Sequence, residues 1–261
     1  MDVRRMTAQM PAGVRQLMLF GLALLAYQAS RAVVIGDAST AMRHTWDVID
    51  VERAAGVFWE PAIQDWANGY PDLIRGLNAL YLFAHLPATA VFFVWLWRSH
   101  RGAYRTVRNG FLAANGIALA IFVTFPVAPP RLSGADGLVD TLRQTSGVDL
   151  HGGMLSGWFN PYAAVPSMHF GYALLIGVTV AVLARHRIAR LVAPLYPALV
   201  LLTIVATGNH FVLDAAAGGL VMGLGMAGAL VTRSGVAMPG WPSLGRRWPT
   251  HLRSPSSTSC R

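Results

Sequence analysis

Six apolar runs, at 17–35, 74–97, 109–127, 166–184, 191–207 and 211–231, set the terms on which this chain can fold. Runs of this length are matched to the thickness of a bilayer when helical. In lipid, every backbone N–H and C=O must find a partner inside the protein, which leaves helices or closed barrels. The runs are continuous and do not alternate with polar residues, so helices are the solution they select. Only 13% of the residues are charged and 54% are hydrophobic; soluble domains average about 25% charged. The sequence therefore predicts an all-α integral membrane bundle of six transmembrane helices, with an interfacial helical segment after the first.

The organisation follows the runs. Residues 1–14 form a short basic N-terminus with Arg4 and Arg5, 15–232 the six-helix membrane domain, and 233–261 a disordered basic tail rich in Pro, Ser and Arg. The first run extends beyond a usual signal-peptide core and has no clear Ala-x-Ala site, so it reads as a signal anchor. Residues 37–75 are polar enough to leave the membrane. They carry Trp46, Trp59 and Trp66, with Pro61 opening a short helix, the composition of helices lying on a bilayer surface. In the last run, Gly218, Gly219 and Gly223 predict close helix packing.

Charge orients the bundle. All 21 basic residues are arginine. With the N-terminus inside, Arg31, Arg43, Arg53, Arg75, Arg131 and Arg143 lie outside and the other 15 inside, while every acidic residue but Asp2 falls on the outer side or its margin. This is a positive-inside pattern. It predicts a multi-pass protein of the cell membrane, with N-terminus and C-terminal tail in the cytoplasm. Arginines gathered at the ends of apolar runs fit a membrane and not nucleic acid. The lack of lysine removes Schiff-base and P-loop chemistry. The single Cys260 removes intrachain disulfides and cysteine metal sites.

The same topology brings three distant fragments to one outer depth. The first is Pro129-Pro130-Arg131, whose prolines stiffen the approach of a guanidinium suited to phosphate oxygens. The second is Pro166-Ser167-Met168-His169. Here Pro166 fits the first turn of a helix, the free N–H groups of that turn attract anions, Ser167 adds a hydroxyl and His169 a group that titrates near neutrality. The third is His210-Phe211-Val212-Leu213-Asp214. Four residues apart on a helix, His210 and Asp214 share a face. The carboxylate can then hold one imidazole nitrogen and leave the other free as a nucleophile. Ionisable groups at a membrane edge are functional by default. Together the parts fit phosphoryl transfer, with Arg131 and Ser167 binding phosphate, His210 attacking, Asp214 orienting it and His169 exchanging the proton. No metal or other cofactor is required.

These fragments resemble the motifs of the type 2 phosphatidic acid phosphatase superfamily. Pro166-Ser167-Met168-His169 stands for its Pro-Ser-Gly-His, His210-x-x-x-Asp214 for its third motif and Pro130-Arg131 for its first. Phe-Pro-Val-Ala-Pro-Pro-Arg at 125–131, Ala-Ala-Val-Pro-Ser-Met-His at 163–169 and Thr-Gly-Asn-His at 207–210 are closer still to the inositol phosphorylceramide synthase-like branch. The resemblance implies hydrolysis of a lipid phosphate, or transfer of an inositol phosphate-like headgroup from a phospholipid to a lipid alcohol; the charge pattern predicts that this takes place at the extracytoplasmic face. Partners would be a lipid phosphate or phosphodiester and membrane lipids, with no obligate protein partner. The chain departs from the superfamily at Thr124, where its first motif has a lysine, and at Thr203 and Ile204, where its third has Ser-Arg.

The residues alone leave other readings open. His169 could be a structural histidine, His210 and Asp214 a clasp between helices, the three together a metal site, and Arg131 a headgroup anchor. His85 reads as a packing residue. The same pocket could also bind or move a lipid phosphate without turning it over.

Overall fold

The computed structural model describes residues 37–147 and 162–234, with Gly13 and Met18. The rest of the N-terminus and of the predicted first span, His151 and the tail beyond 234 lie outside them. Helix α1 (Ala38–Ala55) starts where the Asp37 side chain accepts the Ser39 and Thr40 N–H groups, and stops at Gly56, φ 70°. It buries Ala41, Thr45, Val48, Ile49 and Glu52 along one face. Helix α2 (Glu60–Asn68) has Pro61 in its first turn and buries Glu60, Gln64 and Ala67. Trp46, Trp59, Trp66 and Tyr70 are 40–55% exposed on these helices and the turn after them. They form an exposed aromatic fringe on this part of the fold.

Helix α3 (Pro71–Ser99) contains a π-turn at Leu80–Ala84. Its cause lies just downstream: Pro87 has no N–H to give the preceding turn, and its ring crowds the carbonyl there. Helix α4 (Arg101–Thr124) follows directly. It begins eight residues before the predicted span. Arg101 and Arg108 lay their guanidiniums over Trp97 and Tyr104, 5.4 and 5.8 Å from the ring centroids, so the helix continues through charged residues whose stems cover apolar surface. Two short helices follow, α5 (Pro130–Ser133) and α6 (Thr141–Ser146). Then come α7 (Met168–Leu183), α8 (Arg187–Ala206, broken at Ala193-Pro194) and α9 (Val212–Ser234).

Four of these helices, α3, α4, α8 and α9, are long and apolar enough to span a membrane, and α7 is a shorter apolar helix of 16 residues. The described residues contain no strand, only a single bridge between Val127 and Ala163. Helix α9 runs along α4 and α7, with Phe92, Leu96, Tyr104, Phe111 and Phe122 packed against Leu175, Val221 and Met222. The arginines of the α3–α4 and α7–α8 junctions gather at one end, where Arg233 Nη1 donates to Thr106 Oγ1 at 3.5 Å. The three fragments lie at the other.

Candidate active site

Backbone hydrogen bonds tie the fragments together pairwise. The Val127 N–H donates to Tyr162 O and the Ala164 N–H to Val127 O, at 2.9 and 3.1 Å, which joins the approach to Arg131 with the approach to Ser167. The Arg131 N–H reaches Gly208 O at 2.9 Å, and the Ser167 N–H reaches Asp214 O at 2.8 Å. Helix α1 adds a brace: Thr45 Oγ1 both receives the Ala128 N–H and donates to Ala128 O, at 3.0 and 3.1 Å. Gly208 sits at φ +66°, and a Cβ there would lie 2.7 Å from Gln64 Nε2 and 3.2 Å from Arg131 Cβ. Only glycine serves this turn, both for its conformation and for the close approach.

Arg131 is buried, and its guanidinium is held from two sides. Nη1 donates to the Asn209 side-chain oxygen, and Nε lies 3.4 Å from Asp140 Oδ2. Asn209 is itself aligned by its bond to Thr207 Oγ1 at 2.6 Å. Ser167 is fully buried as the N-cap of α7, its hydroxyl accepting the Phe170 N–H at 3.4 Å. This corrects the placement of Pro166 in the helix. Pro166 precedes the cap, and Met168 and His169 form the first turn, so their N–H groups have no carbonyl ahead of them in α7.

His210 and Asp214 also differ from expectation. His210 precedes α9, which starts at Val212, so the two do not share a helical face. The Asp214 carboxylate instead folds back, with Oδ2 taking the Phe211 N–H at 2.8 Å and lying 3.4 Å from His210 Nδ1. The closer partner of that nitrogen is Ala164 O, at 3.0 Å. Both neighbours are acceptors, so Nδ1 carries the hydrogen and Nε2 keeps its lone pair; the tautomer follows from the partners. The His210 N–H is pinned to Ile204 O at 3.1 Å. The His169 ring lies 5.5 Å from that of His210. All five predicted residues therefore meet in one region.

Sequence reasoning missed several neighbours. Tyr81 stacks on His169 with centroids 4.6 Å apart. His85 lies 4.8 Å from it, with Nδ1 3.3 Å from Tyr196 OH. Tyr81 lies in the π-turn of α3 and His85 directly follows it. The expectation of His85 as a packing residue therefore needs a polar addition: it lies beside the candidate proton donor. Arg143 is exposed on α6. Glu52 and Glu60, fully buried, each accept an N–H from the first turn of α9. Among the described residues, no three His, Cys, Asp or Glu side chains are grouped to hold a metal ion. Of the three glycines predicted to pack α9, Gly218 and Gly219 meet neighbours, while a Cβ at Gly223 would meet nothing within 4 Å.

A family model described as the PAP2 superfamily matches residues 46–228, a stretch that includes all three fragments. No curated protein matches the chain. No solved structure matches it either.

Proposed function

From the premise that this chain belongs to the PAP2 superfamily, a superfamily of phosphatases, we propose that it transfers a phospho-headgroup between lipids through a phosphohistidine at His210. The observation that carries the proposal is the environment of His210: two acceptors on Nδ1, a free lone pair on Nε2 and His169 beside it. Arg131, Ser167 and the first-turn N–H groups of α7 hold the phosphate oxygens. Nε2 attacks phosphorus, the P–N bond forms and the P–O bond to the leaving group breaks. His169 gives its proton to the departing oxygen. The incoming hydroxyl then returns a proton to His169 as its oxygen displaces His210 from phosphorus. Asp214 balances the charge that His210 acquires on phosphorylation. No step calls on a metal.

The number of cations favours a phosphodiester donor. A phosphomonoester approaches two negative charges near neutral pH, a diester carries one, and each charged hydrogen bond contributes roughly 1.5–3 kcal/mol. Arg131 already shares its charge with Asp140. Ile204, at a position where the superfamily has arginine, is buried in an apolar cluster with Ala173, Val200 and Ala215. Thr124, at the lysine position, donates to Ala120 O of its own helix. This supports the inositol phosphorylceramide synthase-like reading, with a lipid alcohol as acceptor. The full chain has six spans in this proposal, and the site faces the extracytoplasmic side of the cell membrane.

The test presents purified protein with phosphatidic acid or phosphatidylinositol, with and without a lipid alcohol, and follows products by mass spectrometry. Acceptor-dependent headgroup transfer from phosphatidylinositol, lost by about 10⁴-fold or more in His210→Ala, is the expected outcome. It persists in excess EDTA. Preference for phosphatidic acid with release of free phosphate leaves a plain lipid phosphatase. Binding without turnover leaves a carrier.

A further inference from the structure

Helix α9 begins beside His210, and its first N–H groups go to three different carboxyl groups. Phe211 N–H donates to Asp214 Oδ2 at 2.8 Å, Val212 N–H to Glu60 Oε1 at 2.7 Å and Leu213 N–H to Glu52 Oε1 at 2.6 Å. The two glutamates come from α1 and α2, more than 150 residues earlier in the chain. Both are fully buried, at 0% exposure, and the second oxygen of each, Oε2, makes no other hydrogen bond. Because their Oε1 atoms take the N–H groups of consecutive residues, Val212 and Leu213, the two carboxyls stand side by side at one helix end. A helix N-terminus welcomes negative charge, but three buried carboxylates around one turn repel each other, with little solvent to screen them.

We propose that Glu52 and Glu60 share one proton between their Oε2 atoms, forming a carboxyl–carboxylate clamp that locks the interfacial helices onto the first turn of α9 and so positions His210 and Asp214. Each glutamate then uses one oxygen for the helix and the other for its partner, and no buried polar atom of the pair is left unsatisfied. Burial, followed by the charge of Glu60, pushes the Glu52 carboxyl up to about 8, and burial likewise raises Glu60. The charged group facing the pair is Asp214, in the first turn of α9. Arg53, next along α1, is engaged elsewhere, 2.9 Å from Asp136 and over the Phe58 ring. The clamp rests on the functional reading above only for the roles of His210 and Asp214; the shared proton does not depend on it.

Glutamine separates this arrangement from a merely polar contact. In Glu52→Gln or Glu60→Gln, the amide oxygen still accepts the helix N–H, and the amide N–H donates to the remaining carboxylate. In the double variant, two NH₂ groups oppose each other. Either single glutamine therefore rescues turnover to within about threefold of wild type, whereas either single alanine and the double glutamine lose about 100-fold or more in kcat with KM little changed. Two readouts need no substrate. Wild-type protein in detergent shows an infrared band of a protonated carboxyl at pH 7 that disappears in both single glutamine variants. Its melting temperature falls as pH rises from about 4.5 toward 8, because a carboxyl raised by folding stabilises below its unfolded value and loses that contribution as it ionises; the single glutamines flatten that slope. A double glutamine as active and as stable as the singles, or an infrared band unchanged in them, overturns the clamp. If the band and slope behave as stated while no lipid is turned over, the clamp stands and the transferase reading fails.

Discussion

His210 is prepared by two neighbours of different kinds, a carboxylate and a backbone carbonyl. Asp214 supplies charge; Ala164 O, at 3.0 Å, supplies the shorter contact. The tautomer therefore does not depend on Asp214 alone. Asp214→Asn should lower kcat by about 10²-fold, well short of the loss in His210→Ala, because the carbonyl still holds Nδ1–H. Steady-state rates of the two variants on one confirmed substrate check this, and equal losses contradict it. That the two histidines, Asp214, Arg131 and Ser167 lie in one region was legible in the sequence because they stand in short motifs. Ala164 was not, because a carbonyl partner has no side-chain signature. Glu52 and Glu60 did leave a trace. Along α1, Ala41, Thr45, Val48, Ile49 and Glu52 share one stripe, so an acid stands at the end of a helix's buried face.

Among elements, α9 shows how little space the assembly allows. A Cβ at Gly218 would stand 2.0 Å from Ser167 O, while one at Gly223 has open space. Gly218→Val should cost the protein several kcal/mol or displace the cap of α7, since overpacking alone typically costs about 1–3 kcal/mol. Gly223→Val should leave the melting temperature in detergent nearly unchanged. Comparable melting temperatures for the two would remove the packing argument. The glycine pattern in the sequence marked the right helix but not which glycine faces α7, because facing depends on the tilt of two helices. The π-turn in α3 was similarly hidden: Pro87 was visible, but its consequence, the turn that carries Tyr81 and ends just before His85, is a backbone adjustment.

For the molecule as a whole, charge and hydropathy were enough to place the fragments at one end and the arginine-bearing junctions at the other, because both follow from transfer energies that ignore detailed packing. Sidedness in the cell is checked by labelling. In a Cys260→Ser background, Asp72→Cys should react with an impermeant thiol reagent in intact cells, and Arg187→Cys should react only after permeabilisation. The reverse pattern moves the site to the cytoplasm.

The length of α7 carries a further consequence. Sixteen residues rise about 24 Å, whereas a hydrocarbon core is about 30 Å thick. Set along the membrane normal as one of the proposed six spans, the helix that begins at Met168 and carries His169 in its first turn would fall short of one bilayer surface by about 6 Å. Either the membrane dimples toward the site or the lipid headgroup sinks to meet it, and a thinner bilayer reduces both distortions. Turnover in reconstituted vesicles should therefore rise as acyl chains are shortened from about 20 carbons to about 14, at constant headgroup composition. A rate indifferent to chain length would mean that the protein already carries its own thinned collar of lipid wherever it goes.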